Sequence, residues 1–289
     1  MLLVGAPWYD GSVRYAMVLP GGTADEQLEQ AVLAEEAGWD GIFVWEAAYG
    51  VDAWGLLSAV AARTTRLTLG TALTPLPWRR PWKVASQVVT LDQISGGRAV
   101  LMVGLGAVSP DLPSTGEELD LRTRAEMLDE GIDLVRALWR GERHVQGEHY
   151  SYDVDGTDQA EVGVPVQRPI PIWVVGLWPR PRSMRRALRC EGIMPQYDGE
   201  PTPALMGAMC GWLGEHGAPS GYDVVSEGET PADDPEAAAA LVAPWAEAGA
   251  TWWLETRWQM PHHGPDRMRA VRERLAAGPP RPTHTGSSA

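Results

Sequence analysis

Gly104 and Gly106 follow the apolar run "AVLMV", and a backbone without Cβ atoms at that point has two uses. It lets a ligand or its phosphate approach the chain closely, or it lets the chain turn tightly. Phosphate chemistry is also suggested by "GLWPRPRSMRRALR" (176–189), where five arginines follow Gly176. Guanidinium forks match phosphate oxygens. A helix start adds free N–H groups and positive dipole. Arg180 and Arg182 stand near that helix start and are the phosphate candidates, while Arg186 and Arg189 read as a solvated basic face. The stretch "EGETPADDP" (227–235) is the opposite: Glu227, Glu229, Asp233 and Asp234 repel phosphate. Like charges about 4 Å apart cost roughly 4 kcal/mol near a surface.

Other chemistries lack their residues. His144, His149, His262 and His263 do not have helical metal-ligand spacing, so no metal site is expected. Cys190 and Cys210 form no CxxC and read as free thiols of a reducing cytoplasm. No GxSxG elbow is present, which removes an α/β-hydrolase.

The elements that must position these residues alternate along the chain. Strands are predicted at 13–20, 41–46, 66–75, 99–106, 170–176, 192–196, 222–228 and 250–255. Helices are predicted at 23–38, 52–64, 81–95, 120–139, 181–190, 202–216, 234–249 and 265–278, with a hairpin at 141–153. Thr23 with Glu26 has the capping-box spacing. Asp52 opens the second helix, and Gly96–Gly97 ends the third. Eight βα units imply a parallel sheet with right-handed crossovers, closed as a (β/α)8 TIM barrel. One domain over 1–278 and a flexible tail over 279–289 are expected, without internal repeats. Barrel sites lie at the C-terminal ends of the strands. That places Leu19, Pro20, Glu46, Thr71 to Thr74, Gly104 to Ala107, Gly176, Leu177, Gln196, Glu227, Glu255 and Arg257 at the mouth. Trp8, Trp45, Trp78, Trp178 and Trp258 fall near it and could wall an aromatic ligand.

Composition narrows the partners. The 289 residues are 44% hydrophobic, enough for a sizeable core. With 38 acids against 24 bases the net charge is −14, which argues against nucleic acid and anionic membrane. The N-terminal "MLLVGAPWYD" lacks a basic region and no apolar run reaches membrane-spanning length, so a cytoplasmic location is expected.

The blocks "AEEAGWDGIFVWE" (34–46), "ARTTRLTLGTALTPLPWRRPWKVASQ" (62–87), "TLDQISGGRAVLMVGLG" (90–106), "RAEMLDEGIDLVRALWRGE" (124–142), "RPIPIWVVG" (168–176) and "AEAGATWWLE" (246–255) come in a specific order. In that order the chain resembles the bacterial luciferase-like family of flavin- or deazaflavin-dependent oxidoreductases, from about residue 15 to 276. The resemblance implies a TIM-like barrel holding FMN or the deazaflavin F420, with the ring in the mouth. It implies a non-prolyl cis peptide at Thr71–Ala72 or Ala72–Leu73, under the ring. It places the cofactor tail near Gly104, Leu105, Gly106, Gly176 and Leu177. Many members follow strand two with Glu-His-His or Asp-His, whereas this chain reads "WEAAYG", with Ala47 and Ala48 in place of histidines. Histidine-assisted oxygenation therefore loses its residue. Hydride transfer needs mainly positioning and an acid for one proton. Glu46, Tyr49 and Glu255 are the candidates, Glu46 fitting a loop-fixing role equally. The first expectation is a reduced-FMN oxidoreductase or monooxygenase acting on a small organic molecule. The alternatives are an F420-dependent reductase or dehydrogenase, or a non-catalytic flavin-binding relative. A separate flavin reductase and a homodimer are compatible with this reading.

Overall fold

The computed structural model describes residues 12–47, 50–108, 115–155, 162–257 and 268–281. Tyr49, Trp8, Trp258, His262, His263 and the tail beyond Arg281 lie outside the described residues.

Eight parallel strands close a barrel. They are β1 (Arg14–Leu19), β2 (Gly41–Val44), β3 (Thr68–Thr71, resuming at Thr74–Pro75), β4 (Ala99–Gly104), β5 (Ile172–Trp178), β6 (Gly192–Tyr197), β7 (Asp223–Gly228) and β8 (Trp252–Glu255). Each pairs in parallel with the next, and β8 pairs with β1 through Trp252↔Arg14 to Glu255↔Met17. The helices are α1 (Ala24–Glu36), α2 (Ala53–Arg63), α3 (Pro81–Ser95), α4 (Leu121–Trp139), α5 (Pro181–Ala187), α6 (Pro203–Glu215), α7 (Pro235–Glu247) and α8 (Arg269–Ala276). One follows each strand, so the expected (β/α)8 barrel is what forms. No helix among the described residues is long and apolar enough to cross a membrane.

Local chemistry sets the helix ends. Thr23 and Glu26 make the reciprocal capping box of α1. Asp52, Asp120, Thr202 and Asp234 each accept a backbone N–H in the first turn of the helix they precede. Gly96 ends α3 with φ +68°, the left-handed conformation that favours glycine.

Two apolar layers hold the barrel. Ala16, Val18, Phe43, Met102, Met194, Val225 and Leu254 fill its interior with Trp173 and Trp252. A larger layer, including Ile42, Val44, Val103, Val174 and Trp253, packs the outer strand faces against the helices. At the barrel floor, Asp223 accepts from the indoles of Trp173 and Trp252 and from Arg14.

Two departures from expectation have physical reasons. α5 ends at Ala187, where i→i+3 bonds from Arg189 and Cys190 tighten the chain. Arg186 is not solvated: it is 7% exposed, donates twice to Asp129 at 2.7 and 2.8 Å, and also bonds the Ala125 carbonyl. Arg189 pairs with Asp133. The acids of α4 turn this basic face into a docking face between helices.

Candidate active site

Alternation along each strand decides which mouth residues face the lumen. Phe43, Met194, Val225 and Leu254 point inward. Trp45, Gln196 and Glu227 follow them by two and share that face, as Leu177 does after Val175. Glu46 shares instead the outer face of Val44, and Glu255 that of Trp253.

Glu46 is 7% exposed and sits in the wall between β2, β3 and α2. Its carboxylate accepts from the Trp54 indole at 3.1 Å, from the Thr74 hydroxyl and from the Arg79 guanidinium. Arg79 is held in turn by Gln87 of α3 at 3.0 Å, and burial pulls its guanidinium below the usual arginine range. The same network reaches a bulge in β3. Gly70 pairs with Val100 and Thr74 with Val103, so β3 carries one residue more than β4 over that step. The Thr71 and Thr74 hydroxyls close the bulge at 2.8 Å, and its Ala72–Leu73 peptide is cis. Ala72 and Leu73 pack on the barrel interior.

Glu255 is fully buried against α8. It accepts from the Thr230 amide at 2.8 Å and hydroxyl at 2.7 Å, and pairs with Arg257 at 3.1 Å. Arg274 of α8 bonds the same Thr230 hydroxyl at 2.9 Å. This carboxylate ties the loops after β7 and β8 to the last helix.

The glycines leave room chiefly for the protein's own side chains. A Cβ on Gly104 would lie 2.8 Å from the Leu73 side chain. One on Gly106, at φ +81°, would lie 2.7 Å from the Trp78 ring. One on Gly176 would lie 2.9 Å from the Ile193 side chain, so that position faces the outer layer. Arg124 of α4 is 6% exposed and donates to the carbonyls of Leu105 and Gly106, both at 3.1 Å. Its guanidinium lies over the Trp78 ring. The glycine loop is thus fixed from below by residues that sequence reasoning did not single out. Neither Arg79 in "PWRRP" nor Arg124 in α4 carries a local signal; only the packing distinguishes them from surface arginines.

After β5, the Ser183 hydroxyl accepts the Leu177 amide at 2.8 Å. Arg180, Arg182 and Arg185 are exposed, and Arg180 pairs with Asp198 at 2.8 Å. Trp178 faces α6, edge-on to Trp212, whereas Trp45 is 44% exposed at the mouth. His144, Asp153 and Asp155 cluster on the exposed hairpin, away from the mouth.

The pattern of the luciferase-like monooxygenase family matches residues 8–285. The chain belongs to that family. It is 31% identical over 196 residues to a Mycobacterium tuberculosis protein provisionally named a coenzyme F420-dependent oxidoreductase, covering 65% of this chain and 54% of that one. It is 37% identical over 150 residues to the F420-dependent glucose-6-phosphate dehydrogenase of Beutenbergia cavernae, covering 48% and 45%. It is 33% identical over 134 residues to the 4-hydroxyprotoasukamycin monooxygenase of Streptomyces nodosus, covering 44% and 35%. Aligned segments thus span about half or less of these relatives. Among solved structures, an F420-dependent secondary alcohol dehydrogenase superposes with TM-score 0.74 at 18% identity, covering 93% of this chain and 99% of that one. At that identity the likeness concerns the fold alone.

Proposed function

We propose that this chain is an F420-dependent oxidoreductase that passes a hydride between the deazaflavin and a small organic molecule at the barrel mouth. The observation that carries the reading is a mouth with an apolar floor, a clamped bulge at 71–74 on one side and exposed arginines after β5. The names of the relatives move the cofactor from FMN, the first expectation, to F420. FMN is the second reading, favoured by the Streptomyces monooxygenase.

The residues present fit such a group. A flat, mostly apolar ring system needs an apolar support, and Ala72, Leu73 and Val175 pack on the interior layer beside Gly104. Thr71, at the end of the first stretch of β3, and Leu105 and Gly106, just after β4, flank this support. The anionic tail runs in this reading past Gly176 and Leu177 to Arg180 and Arg182, whose guanidinium forks suit its phosphate. Glu46 and Glu255 hold the walls, and Tyr49 is the proton-transfer candidate of the loop after β2. When bound, the deazaflavin supplies hydride donor and acceptor chemistry. With F420 as the electron carrier no separate flavin reductase is needed. Two buried, unpaired thiols suit a reducing compartment.

Absorbance titration with F420 and with FMN tests the reading. F420 should bind more tightly. Replacing Arg180 and Arg182 together with alanine should weaken its binding, more so at low salt. Absence of binding by either cofactor at high micromolar concentration, or unchanged affinity in the double variant, would overturn it.

A further inference from the structure

Away from the mouth, the hairpin between α4 and β5 holds a histidine between two carboxylates. Its strands, His144–Gln146 and Ser151–Asp153, pair antiparallel with His144 opposite Asp153. The Val154 amide bonds the Arg143 carbonyl, and the Gly147 amide bonds that of Tyr150. By alternation, His144↔Asp153 is a pair without ladder hydrogen bonds, the kind in which facing side chains approach most closely. Asp155 follows Asp153 by two and shares its face. On the opposite face Val145 and Tyr152 pack on the outer core layer. Glu130 of α4 accepts the tip amides of Glu148, His149 and Tyr150. The hairpin is thus anchored from beneath, and His144, Asp153 and Asp155 stand exposed on its outer side.

The two ring nitrogens of His144 have different surroundings. Nδ1–H donates to the Asp153 carboxylate at 2.5 Å, which fixes the ring and, in its neutral form, leaves the Nε2 lone pair open. Nε2 lies 4.0 Å from the Asp155 carboxylate. That is too long for a hydrogen bond. It is close to the sum of two zinc–ligand bonds of about 2.0–2.2 Å each. A carboxylate on the other nitrogen of a ligating histidine is the common outer partner in metal sites. The three side chains bring ligand atoms within 4.8 Å of one another, and no other group of three or more histidine, cysteine or acidic residues does so among the described residues. The ligands face each other across two strands, so helical spacing is not required of them. The net charge of −14 also favours a cation.

We propose that this hairpin binds a divalent ion of the zinc, cobalt or nickel kind through His144 Nε2 and the Asp155 carboxylate. Asp153 is the positioning residue that orients the ring, and water completes the coordination. Imidazole joined with carboxylate suits these ions better than magnesium or calcium, which take oxygen ligands. The site is independent of the cofactor reading above.

Zinc titrated calorimetrically into the untagged, chelator-treated chain tests it, with cobalt followed by its visible absorption. One ion should bind at submillimolar concentration, and an excess of magnesium should not displace it. His144→Ala should abolish this binding. Asp155→Asn should weaken it about tenfold or more. Asp153→Asn should weaken it about 10–100-fold and shift the cobalt band. The side chains are exposed, so the metal-free variants should keep the parent's melting midpoint. The double variant His262→Ala, His263→Ala should leave the affinity unchanged. No binding below millimolar zinc, binding that survives His144→Ala, or binding lost in the His262→Ala, His263→Ala variant would overturn the proposal. So would a lone-imidazole site indifferent to both aspartate substitutions.

Discussion

At the scale of single residues, the walls of the mouth are built from buried charges that each engage several partners. Glu46 takes three donors, and removing it leaves the half-buried Arg79 guanidinium without its counter-charge. Glu46→Ala should cost about 3 kcal/mol, read as a lower midpoint in chemical denaturation. Because Thr74 is one of the three donors, F420 affinity should fall as well. Lost turnover at unchanged stability and affinity would return Glu46 to the role of proton donor. Gly106→Ala meets two costs. Its positive φ disfavours a side chain by about 1 kcal/mol, and contact with Trp78 adds overpacking of about 1–3 kcal/mol. A variant as stable as the parent would show that Trp78 moves freely aside.

At the scale of elements, charged side chains stitch helices to neighbouring segments. The Glu35 carboxylate at the end of α1 accepts the amides of Thr65, Arg66 and Leu67 before β3. Burial raises its pKa, but these bonds outweigh that and hold it below the usual 4.5. A carboxyl lowered on folding stabilises at neutral pH and loses that contribution as pH falls through its folded value. Acid destabilisation between pH 5 and 3 should therefore be shallower in Glu35→Gln, measured by urea midpoints; an identical acid limb would remove this residue from the account. Arg186 makes the corresponding link from α5 to α4. Arg186→Ala should lower stability by about 1–3 kcal/mol, while exposed Arg185→Ala should stay within about 0.5 kcal/mol. Equal effects would mean that the Asp129 pair contributes nothing measurable.

At the scale of the whole molecule, the two cysteines report on global opening. Cys190 and Cys210 are each 3% exposed, and burial pushes both thiols up to about 12. The thiolate is the reactive form. An aromatic disulfide reagent at pH 8 should modify neither thiol in the native protein and both in denaturant. Rapid native labelling would point to local opening around α6 or the end of α5.

The order of βα units, the capping box at Thr23, the cap at Asp52 and the stop at Gly96 were legible in the sequence, because each depends on residues a few positions apart. So was the set of strand ends that forms the mouth. The direction each mouth residue faces was not. "GIFVWE" and "ATWWLE" are apolar at successive positions because a parallel barrel strand is covered on both sides. With no polar–apolar alternation to read, Glu46 and Glu255 look like lumen residues until Val44 and Trp253 are seen against the helices. The glycines hide their purpose for a related reason. Gly104 is filled by Leu73 and Gly106 by Trp78, partners about thirty residues away that only the pairing of β3 with β4 brings into contact.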